Sequence, residues 1–263
     1  MSSPDRDQPL VRARRLTCWG VEGIPEVVAG DDLGATCRRP LLRAGGLEPW
    51  DVVVVTHKVI SKAEGRVLRL DGVVPGDAAV ALAARVGQDP RMTEVILRES
   101  RRVVRAEPGV LVTETVHGFV CANSGVDRSN VGGGEAVTCL PVAPDLSADR
   151  LRRSWLDLAH GGPLGVIVTD TFGRPFREGA VNVAIGCSGI PPLSDHRGLL
   201  DEMGYLLHAS TIGTADEIAG LAELVMGKID GVPVAVVRGF SWQGPEMAAQ
   251  ALLRPREKDI FRH

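Results

Sequence analysis

The sequence predicts a fold that mixes helices with strands, several of the strands wholly buried. Residues 51–56 and 165–169 are apolar, β-branched runs, the first with four consecutive valines, of the kind that fills the middle of a sheet. Residues 214–227 instead place Ile218, Leu221, Ala222 and Val225 at helical spacing, behind a Thr-x-x-Glu pattern that reads as a capping box. At 263 residues and 44% apolar, the chain can bury a large core, as one large domain or two small ones.

Taken in order, residues 1–14 read as a loose segment, and 1–9 lack the apolar core of a signal peptide. Residues 16–21 read as a first strand, and Gly23 and Pro25 bend the loop after it. A short helix is predicted over 33–42, ending near Gly45 and Gly46. The valine strand runs into His57, Lys58, Ser61 and Lys62, which are well placed for phosphate contacts. No Gly-x4-Gly-Lys-Ser/Thr loop occurs, and the spacing at 220–228 is too long for one. Residues 75–86 and 90–105 read as helices. The second would carry Arg98, Arg101, Arg102 and Arg105 on one face, an anion-binding face or, in preference, a solvated one paired with Glu94 and Glu99.

Strands are predicted at 110–115 and 119–122, around His117 and Gly118. A polar loop at 123–131 follows, where Gly125 bends the chain, Asp127 offers a metal ligand and Asn130 a donor and an acceptor. Gly132, Gly133 and Gly134 read as a flexible tip. Ser147 reads as the cap of a helix reaching about Ala159. Residues 180–187 are small, 195–204 form a charged loop, 233–237 read as another buried strand and 245–254 as a last helix.

The stretch from Gly165 to Arg177 carries the most chemistry. Its apolar run stops at Thr169, Asp170 and Thr171, so an oxygen-rich cluster is expected at the strand's end. Gly173 and Pro175 are expected to force a turn that holds Arg174 and Arg177. Such oxygens suit a hard divalent cation, and arginines suit phosphate or carboxylate; the plainer alternative is a strand followed by a salt-bridged turn. Two acidic positions, Asp127 and Asp170, make a shared metal site more credible than either alone.

Lys plus Arg total 30 against 33 Asp plus Glu, a net charge of −3 that argues against nucleic-acid binding. No apolar run reaches the roughly 18 residues of a membrane span. The five cysteines never form Cys-x-x-Cys, so neither a disulfide framework nor a zinc site is expected, and free, mostly buried thiols in a cytoplasmic protein are.

Six motifs then fall in one order: Val-Glu-Gly-Ile-Pro-Glu (21–26), Val-Ile-Ser-Lys-Ala-Glu-Gly-Arg (59–66), Ala-Asn-Ser-Gly-Val-Asp-Arg-Ser-Asn-Val (122–131), Val-Thr-Asp-Thr-Phe-Gly-Arg-Pro-Phe-Arg (168–177), Ala-Asp-Glu-Ile-Ala (215–219) and Val-Met-Gly-Lys (225–228). Together they resemble the coenzyme F-420 gamma-glutamyl ligase family, from about Arg15 to Arg262, which makes 15–263 the ligase domain. The resemblance implies an α+β fold peculiar to the family, with mixed sheets, packed helices and an intertwined homodimer. It implies a GTP-dependent ligase that adds L-glutamate to the lactyl carboxylate of a deazaflavin precursor, and then further glutamates, with Mn2+ or Mg2+ and K+ required. Carried onto this sequence, Asp127, Asp170 and Thr171 would hold the metal. Lys62, His57, Asn130, the turn of Ile24, Pro25, Glu26 and Val27, and a closing segment with Met226, Gly227 and Lys228 would contact GTP. Arg174 and Arg177, by position, would hold the acyl phosphate or a substrate carboxylate.

Two residues depart from the family pattern. His57 stands where a small hydroxyl residue is expected, and Lys228 where some relatives carry a glutamate ligand, which puts a second metal in doubt. The length is that of the stand-alone ligase, without the nitroreductase-like domain fused in some relatives. A related ligase acting on another carboxylate would share the same motifs.

Overall fold

The computed structural model describes residues 15–131, 135–259 and 261. The segment 1–14 and the glycine tip 132–134 lie outside them. The chain begins with β1 (Thr17–Gly20), α1 (Leu33–Arg43), β2 (Asp51–Thr56), α2 (His57–Ala63) and a short β3 (Val67–Arg69). Then come α3 (Asp77–Val86), α4 (Pro90–Arg98), β4 (Ser100–Glu107), β5 (Val110–Thr115) and β6 (Val120–Ala122). β7 (Ala136–Thr138) and α5 (Pro144–Trp155) precede a long hairpin of β8 (Leu164–Arg174) and β9 (Arg177–Ser188). The two-residue β10 (Ser194–Asp195) and β11 (Thr211–Ile212) lead to α6 (Thr214–Met226) and β12 (Val234–Arg238).

The main sheet has the order β1-β12-β2-β8-β9, antiparallel throughout except for the parallel pair β2 and β8. Its central strands are buried on both faces, which is why they read as unbroken apolar runs rather than alternating ones. Val53, Val55, Val166, Val168 and Val236 pack with Leu41 of α1 and Ala148, Leu151 and Trp155 of α5. Val52, Val54, Ile167, Ala235 and Val237 point the other way, onto Ala215, Ile218 and Ala222 of α6. Trp155 is fully buried and its Nε1 donates to the Gly34 carbonyl at 2.9 Å, tying α5 to α1. A separate apolar cluster joins Val86, Ile96, Leu111 and Val137 of α3, α4, β5 and β7, beside the three-stranded sheet β4-β5-β6. The class is α+β, with mixed sheets and packed helices.

Several sequence expectations are corrected. The helix expected over 90–105 ends at Arg98, and the chain turns into β4, whose side chains alternate between exposed and covered. Ser100 Oγ closes the helix end by donating to the Ile96 carbonyl at 2.5 Å, and the β-branched Val103 and Val104 favour the strand. Arg98, Arg101, Arg102 and Arg105 therefore share no helical face. Arg98 pairs with Glu94, as expected of a solvated residue, while Arg102 reaches across to Glu114.

Ser147 is not a cap. The helix starts at Pro144, which needs no hydrogen-bond partner for its nitrogen, and the Ser147 hydroxyl donates to Glu64. Thr214 is the first helical residue rather than the cap, its hydroxyl paired with Ser194 Oγ at 2.7 Å. The last helix shrinks to a turn at Ala249–Leu252, because this segment is pinned to other elements. Ala249 N–H donates to Asp145, and Glu246 accepts from Ser188 and Gly189. The strand expected to end with the Thr169, Asp170 and Thr171 cluster runs on to Arg174, with Gly173 inside it rather than in the turn.

The thiols conform to expectation: all five cysteines are free and four are buried. Burial pushes the Cys37 and Cys139 thiols up to about 12, so they are unreactive packing groups.

Asp216, in the first turn of α6, accepts the Ala184 N–H at 2.8 Å from a largely buried position. Burial raises its carboxyl above the usual range, and the Ala184 hydrogen bond only partly opposes that. A carboxyl whose folded value lies above its unfolded one makes the fold lose stability as pH rises from the unfolded value through the folded one. Asp216→Asn keeps the acceptor and removes the charge. It is expected to raise the melting temperature at pH 7 by roughly 1–3 °C, with the gain shrinking towards pH 4 in thermal scans.

Candidate functional site

Because β2 and β8 run parallel, β2 ends at Thr56 directly opposite Thr169, where the burial of β8 also stops although the strand itself runs on to Arg174. The next residues, His57 on α2 and Asp170 on β8, open onto a cavity of about 620 Å³. Crevices beyond the carboxyl ends of parallel strands are common ligand sites. One wall is the turn of Ile24, Pro25 and Glu26; α2 supplies Lys58 and Lys62, and the end of α6 supplies Glu223, Met226, Gly227 and Lys228. Gly227 has φ +63°, and a Cβ there would fall 1.8 Å from Asp230 Oδ2, so the chain leaves α6 through a turn that takes only glycine. Asn130 enters the cavity from a left-handed backbone at φ 60°, which asparagine tolerates.

Charge is balanced locally. Lys62 Nζ lies 2.5 Å from Glu26 Oε1, and Glu26 is largely exposed, so this pair is weak and exchangeable. Lys58 Nζ lies 2.5 Å from Asp127 Oδ2 and also donates to the Ser129 hydroxyl. Burial works against ionising Asp127. Hydrogen bonds from Lys58, the Ser129 hydroxyl and the Ser129 N–H outweigh it and hold the carboxyl down at about 2. Across the β8–β9 ladder, Thr171 Oγ1 donates to Asn182 Oδ1 at 2.8 Å, and Asn182 Nδ2 donates to Glu223 Oε2 at 2.7 Å. Asp170 Oδ1 accepts the Thr171 N–H at 2.7 Å.

The cavity thus gathers Ile24, Pro25, Glu26, His57, Lys62, Asn130, Asp170, Thr171, Met226, Gly227 and Lys228 from five separate stretches. Val27 is instead buried behind the turn, and Asp127 sits one side chain back, behind Lys58. Arg174 and Arg177 flank the hairpin turn away from the cavity lining, with Arg174 donating to the carbonyls of Glu178 and Gly179. Asn182 and Glu223 were missed. A lone asparagine amid the apolar residues of 181–187 was the available signal for the first; only folding brings the second opposite Thr171.

A divalent cation is a reasonable guest for this donor set. Asp170, Thr171, Asn130, Asn182 and Glu223 all present oxygen, the donor hard cations prefer. Among the described residues no three His, Cys, Asp or Glu side chains cluster as a metal site. A cation here would therefore also draw on hydroxyl, amide, water or substrate oxygens.

Three lysines and three carboxylates around a cavity of this size make it a site for a polar small molecule. Comparison with known proteins supplies the class. The family described as F420-0:Gamma-glutamyl ligase matches residues 23–239. Proteins named Coenzyme F420:L-glutamate ligase are similar over nearly their whole length. That of Methanothermobacter thermautotrophicus is 45% identical, covering 94% of this chain and 99% of the relative. That of Methanocaldococcus jannaschii is 42% identical over 95% and 98%, and that of Halobacterium salinarum 39% over 94% and 96%. The chain belongs to the F420-0:gamma-glutamyl ligase family, a family of ligases.

Proposed function

We propose that this ligase joins the amine of L-glutamate to the lactyl carboxylate of the deazaflavin precursor of coenzyme F-420, driven by GTP, and then adds further γ-linked glutamates. The observation that carries the reading is that eleven of the residues assigned by family resemblance converge on one nucleotide-sized cavity. The relatives' names supply the substrates.

A carboxylate does not react with an amine at neutral pH, so it must first be activated. The carboxylate oxygen attacks the γ-phosphorus of GTP, the bond to the β-phosphate oxygen breaks, and GDP leaves. The free amine of glutamate then attacks the acyl carbon, phosphate departs with the bonding electrons, and the nitrogen loses a proton to form the amide. Lys62 exchanges Glu26 for a phosphate oxygen in this scheme, and Asn130 and the turn of Ile24, Pro25 and Glu26 orient the nucleotide. Asp127, Asp170 and Thr171 would hold a Mn2+ or Mg2+ ion, whose positive charge would offset the phosphate oxygens. Arg174 and Arg177, outside the cavity, suit an acceptor carboxylate better than the nucleotide. K+ is a further requirement in this reading.

A homodimer is part of the same proposal. Leu199, Leu200, Met203, Tyr205 and Leu206 form an exposed apolar surface between β10 and β11 that a second copy would cover. Among the described residues no helix is long and apolar enough to cross a membrane; we place the enzyme in the cytoplasm.

The test is to incubate the protein with GTP, Mn2+, K+, L-glutamate and the deazaflavin precursor and to weigh the product by mass spectrometry. A gain of one or more glutamyl units, with one GDP and one phosphate released for each, is expected. Tight GTP binding without any gain would point to a different acceptor carboxylate.

A further inference from the structure

We infer that His57 is a direct ligand of the divalent cation, placing an imidazole nitrogen beside the Asp170 carboxylate. The inference rests on the divalent-cation part of the proposed function. His57 is only 1% exposed and opens α2 at the point where β2 delivers the chain to the cavity. Its Nδ1 lies 3.3 Å from the Ser61 hydroxyl, one helical turn on. Its Nε2 lies 3.2 Å from Asp170 Oδ1. The angle there is wrong for a hydrogen bond, and Nε2 is a buried polar atom without a partner.

Both contacts follow if the proton sits on Nδ1 and is donated to Ser61. Nε2 then presents a lone pair to the cavity, beside a carboxylate oxygen that presents lone pairs of its own. Two such atoms repel each other unless something positive lies between them. A proton on Nε2 would do this, but it would be drawn into line with the carboxylate, and the geometry is not in line. A cation bound to both atoms has no such requirement. Adjacent ligands on an octahedral ion with bonds of about 2.1 Å lie roughly 3 Å apart, close to the observed separation. The Nδ1 bond to Ser61 is the kind of outer contact that fixes the tautomer and orientation of metal-bound imidazoles. Buried polar atoms without partners are rare, and an ion is one of the few things that satisfies them.

The consequence concerns metal choice. A site of carboxylate, hydroxyl and water oxygens suits Mg2+ as well as Mn2+, whereas an imidazole tilts the preference towards transition ions. His57 would thereby set which metal this chain prefers.

Pulsed electron paramagnetic resonance on untagged full-length protein loaded with Mn2+, with and without GTP, tests the point. A coupling from directly bound 14N is expected, converted to a 15N coupling when the histidines alone are labelled, and lost in His57→Ala. The variant is expected to bind Mn2+ about 10-fold more weakly or worse, with a smaller loss for Mg2+. Bound Mn2+ without histidine coupling, or a coupling that survives in His57→Ala, would overturn the assignment while leaving the metal-dependent ligase standing. Absence of Mn2+ binding in every condition would overturn both. The labelling result comes from the wild-type protein, so it holds however well the variant folds.

Discussion

Asp170→Asn is expected to cut glutamyl transfer by about a thousandfold or more while leaving the fold in place. Asp170 lies just past the last fully buried residue of β8, its side chain 13% exposed and facing the cavity. The substitution is nearly isosteric and keeps a carbonyl oxygen for the Thr171 N–H, so the local backbone has no reason to move. What it removes is the negative charge. In the proposed function that charge helps hold the cation that offsets crowded phosphate oxygens, an effect worth several kcal/mol, and each factor of ten in rate corresponds to about 1.4 kcal/mol. GDP release and product mass should fall together, while the melting temperature stays within a few degrees of the parent. Activity within tenfold of wild type would show that the charge at this position does no chemistry. Asp127 differs, because Lys58 and Ser129 already engage its carboxylate. For Asp127 to serve as a ligand, Lys58 must first release it.

How far the site could be read from the sequence depended on whether its parts lie within one stretch of chain. The buried strands were plain because β2 and β8 are covered on both faces, which calls for unbroken apolar runs. The helix expected over 90–105 failed because its arginines follow helical spacing, and only the Ser100 stop and the pairing of β4 with β5 override that pattern. Asp170 and Thr171 were visible as polar residues closing an apolar run. Asn182 and Glu223 were not, because their roles exist only through the β8–β9 register and the packing of α6 on β9. His57 was noticed as a departure from pattern, yet its meaning appears only when the parallel pairing sets Thr56 beside Thr169 and the histidine beside Asp170.

At the opposite end of β2 the largest stability effect is expected. Arg238→Met should destabilise the protein by about 3–5 kcal/mol, lowering the melting temperature by roughly 10 °C. Asp51, the first residue of β2, is wholly inaccessible to solvent. Arg238 meets it with two bonds, Nε to Oδ1 at 2.8 Å and Nη2 to Oδ2 at 2.7 Å, while the Glu48 N–H adds a third at 2.7 Å. The guanidinium is also held by Glu48 Oε1 and lies over the Trp19 ring at 5.0 Å. Methionine keeps the apolar stem but strands a buried carboxylate, and the cost arises there, not from losing the pair as such. A second change separates the two effects. Asp51→Asn combined with Arg238→Met leaves no buried charge and should recover much of the loss, a coupling readable from a double-mutant cycle in urea. A loss below about 1 kcal/mol in the single variant would mean that water reaches Asp51 or that its carboxyl takes up a proton. Because β2 runs from this ion pair at Asp51 to Thr56 at the cavity's edge, loosening its first residue tests whether the strand holds His57 as a rigid support. If it does, turnover per folded molecule stays at the wild-type value while the folded population falls.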